Sequence, residues 1–183
     1  MSDEIKVEPV ETENSIEENI TQEELVRKLE VLKGEQNLPL AVIGALIASI
    51  IGAVIWAVIT GITEYQIGWM AVGVGFLVGK AVGRFGKGID NIYGIIGAGF
   101  SLFGCLSGNL LTVAYFASVQ EGVSLPLVIL GMIISPSIVF SVIKETFNFM
   151  DILFYGLALY EGYKFSFRKI TDEVLLNTKV SRG

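Results

Sequence analysis

The chain has 183 residues, of which 52% are hydrophobic and only 17% charged, with a mean hydropathy of +0.62. A soluble domain carries about 25% charged residues, so the composition is too apolar for a soluble fold and far too apolar for a disordered one. Histidine is absent and cysteine occurs once, at Cys105, which excludes an internal disulfide and removes the commonest metal ligand and general base.

The net charge of −6 is unevenly spread. Residues 1–37 hold 11 acids and 4 bases, whereas residues 38–183 hold 8 acids and 9 bases. An acidic segment is repelled by anionic headgroups and by nucleic acid, so residues 1–37 read as a solvated cytoplasmic tail with no nucleic-acid role. They also lack the basic start and early apolar run of a secretory signal. Within the tail, Thr21 and Glu24 form a capping-box pattern, and Leu25, Leu29 and Leu32 share one face. The expected element is a short helix over 22–33, stopped at Gly34, either a surface helix or a partner-binding one.

About 20 apolar residues cross a bilayer core as a helix. Between Glu35 and Glu64 lie 28 uncharged residues, the expected first span. Ile67 to Phe85 gives a second span of 19 residues if Lys80 and Arg84 snorkel to the interface. Asp90 to Glu121 encloses 30 uncharged residues, enough for a third.

The fourth crossing has two candidates. Residues 126–143 are the more hydropathic, and on that reading 149–163 lies flat on the cytoplasmic face. Pro126 suits a helix start, but Pro136 interrupts the segment. On the other reading, 126–143 is an external re-entrant or interfacial hairpin and 149–167 crosses. Hydropathy favours the first.

Lys80, Arg84 and Lys87 mark the connection after the second span as cytoplasmic, and Arg27, Lys28, Lys33 and the basic residues from Lys164 onward put both termini on that side. Both ends inside require an even number of crossings. The expected fold is thus an all-α integral membrane protein of about four glycine-packed transmembrane helices over residues 38–170, plus one interfacial or re-entrant segment. Residues 171–183 form a cytoplasmic C-terminal tail.

The block YQIGWMAVGVGFLVGKAVGRFGKGID, with the following IYGIIGAGFSLFGCLSGNLL, resembles one seen in small bacterial multi-pass membrane proteins of unknown function. MDILFYGLALYEGYKFSFRK resembles a second block of that group. The resemblance covers roughly residues 65–170 and implies a multi-pass protein of the bacterial cytoplasmic (inner) membrane. It lends no catalytic residue and no substrate.

Inside the spans the most informative pattern is the spacing of small residues. Gly75, Gly79 and Gly83 recur every four residues in the second span, and Gly104 and Gly108 repeat the spacing in the third. Gly97, Ser101 and Cys105 add another stripe, and the first span carries Gly44, Ala48 and Gly52 beside Ala45, Ser49 and Ala53. Lipid offers no hydrophobic drive between helices, so association depends on close backbone approach at such residues. The contact is expected either within the chain or in a homo-oligomer.

Intramembrane polar residues are the remaining candidates. Asn109, with Thr112 nearby, reads as an interhelical hydrogen-bonding group or as part of a polar path. Asp151 reads as a solvated carboxylate or, if 149–167 crosses, as a partner for the bases. Lys80, Arg84 and Lys87 read as snorkelling interfacial anchors, or as an anion or headgroup site. Cys105 reads as a packed, inert thiol.

Without histidine there is no Ser–His or Cys–His pair and no histidine–zinc site, and no phosphate-binding loop follows a strand. The sequence therefore favours a non-enzymatic protein without cofactors. Its partners are the lipid bilayer and either itself or another membrane protein. A small transporter or pore with a polar path near Asn109 is the alternative.

Overall fold

The computed structural model describes residues 25–65 and 68–169, and every regular element among them is helical. Thr21, Glu24, Ile67 and the expected C-terminal tail lie outside the described residues. In the N-terminal unit, α1 is helical over 25–34, with Leu25 exposed, Leu29 half-buried and Leu32 buried. The second unit, residues 36–168, contains all the remaining helices.

α2 (Leu38–Thr63) starts where Asn37 accepts the Leu40 N–H at 3.0 Å, with Pro39 in its first turn. It ends at Glu64 in the left-handed conformation, φ 57°. α3 (Trp69–Gly86) ends similarly at Lys87, φ 49°, and carries Arg84 in its last turn, where a cation offsets the negative end of the helix dipole. α4 (Asn91–Glu121) runs to Gly122, φ 64°. Among the described residues, α2 and α4 are the two single helices long and apolar enough to cross a membrane.

Residues 125–146 do not form one rod. α5 (Leu125–Ile134) and α6 (Pro136–Thr146) are bent by 104° at Ser135. Pro136 cannot donate to the preceding turn and disfavours α geometry in the residue before it, and Ser135 takes φ −119°, ψ 81°. Neither helix has a buried residue. Together they are long and apolar enough for one broken span or a re-entrant loop.

α7 (Phe149–Phe165) instead packs on α3 and α4. Hydropathy and packing thus single out different segments: residues 125–146 are long and apolar enough for one broken span, whereas α7 is the segment packed into the bundle. α3 and α4 contact each other, and both are flanked by α2 and by α7. α2 runs antiparallel to α3, with Gly44 against Phe85 and Gly52 against Val74. It runs parallel to α4, with Ser49 against Gly104 and Trp56 against Gly108. α7 runs parallel to α3 and antiparallel to α4. Ala41, Ala45, Trp56, Val78, Val82, Cys105 and Ala158 belong to the resulting core.

Candidate functional site

The glycines chosen from spacing meet identifiable partners within the chain. A Cβ on Gly75 would lie 2.5 Å from the Ala158 carbonyl oxygen, and one on Gly79 3.0 Å from the carbonyls of Glu161 and Gly162. On Gly83 it would lie 2.8 Å from the Phe165 carbonyl. These three glycines therefore form the α3 side of a backbone-level contact with α7. Gly97 meets Gly162 and Ser166 in the same way from α4. Gly44, Gly52, Gly104 and Gly108 face side chains: Phe85, Val74, Val74 with Ser49, and Trp56 respectively.

Polar groups inside the bundle are mostly bonded to their own helix. Ser49 Oγ donates to Leu46 O at 2.8 Å, Ser101 Oγ to Gly97 O at 2.6 Å and Thr112 Oγ1 to Gly108 O at 2.9 Å. Ser166 Oγ donates to Gly162 O at 2.5 Å. Cys105 is fully buried, with Sγ 3.9 Å from Ala71 O. A hydroxyl that folds back onto its own helix leaves little to offer a passing solute.

Asn109 sits nearer one end of the bundle than its place in the uncharged run suggested. α4 has 31 residues and is about 46 Å long, whereas α3 and α7 have 18 and 17 and are about 27 and 26 Å long. Asn109 lies beside the start of α7, where its Nδ2 makes a long hydrogen bond of 3.5 Å to Thr146 Oγ1. The Tyr155 hydroxyl is buried there without a hydrogen bond of good geometry, although the Asn109 side chain is close enough to interact with it. Asp151 is half-buried and pairs with no base among the described residues; its carboxylate accepts the Asn148 N–H at 2.8 Å and closes a capping box on α7. Asn109, Thr146 and Tyr155 thus gather at one end, while Thr112 bonds to its own helix.

The opposite end is basic. Lys80 Nζ lies 5.6 Å from the Phe76 ring centroid and 5.7 Å from that of Phe165, and the two rings meet edge to face at 4.9 Å. Lys164 Nζ lies 5.3 Å from the Tyr160 ring. Both ammonium groups therefore rest on aromatic faces, as cation–π geometry favours.

Sequence reasoning missed the polar clasp at this end. Gln36 Oε1 accepts the backbone N–H of Ile89 at 2.8 Å and of Asp90 at 3.2 Å, while its Nε2 donates to Asp90 Oδ2 at 2.8 Å. Asn37 N–H donates to Gly86 O at 2.9 Å, and Arg168 N–H to Gly88 O at 2.8 Å. The α3–α4 loop is thereby tied to the entry of α2 and the exit of α7. The available signal was a Gln–Asn pair directly before a Pro-initiated span. Trp56 was also missed: it is 1% exposed, and its indole N–H has no partner among the described residues.

Compared with protein-family models, curated proteins and solved structures, the chain shows no match.

Proposed function

We propose that this chain is an integral membrane protein of the bacterial cytoplasmic membrane, in which α2, α3, α4 and α7 cross the bilayer. Both termini are cytoplasmic, and α5–α6 forms a bent hairpin at the outer surface. Its role is structural: a glycine-packed, non-catalytic bundle that assembles with itself or with another membrane protein. The observation that carries this reading is the backbone-level seam of Gly75, Gly79 and Gly83 against Ala158, Gly162 and Phe165. A seam of that kind rewards rigidity, and carbonyls packed against glycines leave no room between α3 and α7 for a solute.

A transport path calls for polar or charged groups near the midplane, and usually for broken helices there. Here the buried hydroxyls of Ser101 and Thr112 are satisfied by their own helices, and the cluster of Asn109 with Tyr155 belongs to one end only. The surface open for assembly is the α5–α6 hairpin, where Leu127, Ile133, Ile134, Ile138 and Phe140 are exposed.

Cross-linking tests the reading. Single cysteines at Ile133 and Ile138, in a Cys105→Ala background, are expected to cross-link in native membranes to a second copy or to a partner membrane protein. Purified chain in vesicles is expected to pass no solute. Absence of any cross-link, together with a solute flux that Asn109→Leu abolishes, would overturn the scaffold in favour of the pore.

A further inference from the structure

An open apolar cleft of about 330 Å³ runs between α2 and the first half of α3, bordered by Ile55, Ile59, Met70, Gly73, Phe76 and Leu77. Gly73 differs from the packing glycines, because a Cβ built on it meets nothing within 4 Å. Its lack of a side chain deepens the cleft and serves no helix contact. The cleft wall continues in helical register: residues 73, 77, 80 and 84 fall on one face of α3, so the apolar stretch leads directly to Lys80 and Arg84. Both cations are exposed, and neither forms an ion pair with a carboxylate among the described residues. Phe76 touches both regions, bordering the cleft and supporting Lys80.

We infer that this face binds one anionic phospholipid, its acyl chain lying in the cleft over Gly73 and its phosphate held by Lys80 and Arg84. Charge complementarity selects the headgroup, and basic positions between helices at the cytoplasmic surface are suited to anionic lipid. Gly73 lies seven residues, about 10 Å, from Lys80 along the helix, a distance that an acyl chain spans easily. A free phosphate would use the cations but not the cleft. A second copy's helix would use the cleft but gain nothing from the cations. The inference rests on the membrane reading of α2 and α3 and is independent of the scaffold role.

Trp56 also lines the cleft and is a built-in reporter. In a Trp69→Phe variant it is the sole tryptophan. This protein is reconstituted in phosphatidylcholine and titrated with phosphatidylglycerol or phosphatidylcholine brominated on the acyl chains. Brominated phosphatidylglycerol is expected to quench Trp56 at about 25-fold lower mole fraction, since each of the two cations near an anionic surface contributes roughly a fivefold preference. Lys80→Gln with Arg84→Gln should reduce that preference to near unity. Gly73→Leu should weaken quenching by both lipids, with the helical circular dichroism unchanged. Excess inorganic phosphate should leave the quenching intact. Equal quenching by the two lipids in the parent, or a preference that survives the double charge variant, overturns the site. Displacement by phosphate reassigns it to a free anion, and a Gly73→Leu change in oligomeric state without a change in quenching reassigns the cleft to a second copy.

Discussion

Gly75 of α3 meets Ala158 of α7 backbone to backbone: a methyl group on Gly75 would lie 2.5 Å from the Ala158 carbonyl oxygen and 2.9 Å from its Cα. Neither atom belongs to a flexible side chain, so Gly75→Ala must part the two helices. The expected loss is about 1–3 kcal/mol, the usual range for overpacking. Gly73→Ala, two residues away in open space, is the control and should gain up to about 1 kcal/mol from helix propensity. Thermal unfolding in mild detergent should therefore shift in opposite directions for the two variants, and Gly79→Leu should be worse than either. Equal shifts at Gly73 and Gly75 would count against the seam.

Accessibility of single cysteines tests which segments cross. With Cys105 replaced by Ala, a cysteine at Ser124 sits just before α5 and one at Lys144 in the last turn of α6. If α7 is the fourth crossing, both should react with a membrane-impermeant maleimide from outside, and one at Thr171 only after permeabilisation. Labelling of Ser124 from outside and of Lys144 only from inside would make 126–143 the crossing and leave α7 on the cytoplasmic face.

Much of this arrangement is legible in the sequence, and its gaps have physical causes. Runs free of charge locate α2 and α4, because charged side chains are costly in hydrocarbon. Small residues every four positions identify the close face of α3, but a stripe of glycine says only that a backbone can approach, not which one. The partner, α7, has small residues at Ala158 and Gly162 within a segment whose tyrosines and two acids read as interfacial. The depth of Asn109 cannot be read from its place in a 30-residue uncharged run, because the run is longer than the helices beside it. α4 extends well past the start of α7, so its centre and that of the bundle differ. The bend at Ser135 follows from Pro136, which hydropathy weighs as just another apolar residue.

Gln36 is half-buried and should matter more than a surface glutamine usually does. It accepts two backbone N–H groups of the α3–α4 loop and donates to the Asp90 carboxylate. Gln36→Ala releases those donors to water, at an expected cost of about 1 kcal/mol. Amide hydrogen exchange should quicken at Ile89 and Asp90 while Cys105 and its neighbours stay protected. Unchanged exchange at Ile89 would show the clasp to be idle.

The Asn109–Thr146 contact is long, at 3.5 Å, and should be weak. Interhelical hydrogen bonds of this type contribute about 0.6 kcal/mol on average in membrane proteins. A double-mutant cycle with Asn109→Leu and Thr146→Val should return a coupling below about 1 kcal/mol. A coupling of several times that value would mean that the cluster with Tyr155 acts as a unit, as a binding site would.

Trp56 gives the last test, because its shape and its polarity have opposite signs. The ring is 1% exposed, and a Cβ on Gly108 would lie 3.0 Å from its Cγ, so α4 packs directly on the indole. Its N–H, however, is buried with no partner among the described residues, an arrangement that costs about 1–3 kcal/mol. Trp56→Phe keeps most of the ring and removes the orphan donor, so volume lost and desolvation regained should nearly cancel, within about 1 kcal/mol. Trp56→Ala has no such compensation and should lose about 3–5 kcal/mol. The same side chain can be followed by emission, since Trp69 is 69% exposed and Trp69→Phe leaves Trp56 alone. Its spectrum should be blue-shifted and insensitive to aqueous quenchers. A large destabilisation in Trp56→Phe, approaching that of Trp56→Ala, would mean that the N–H has a partner after all.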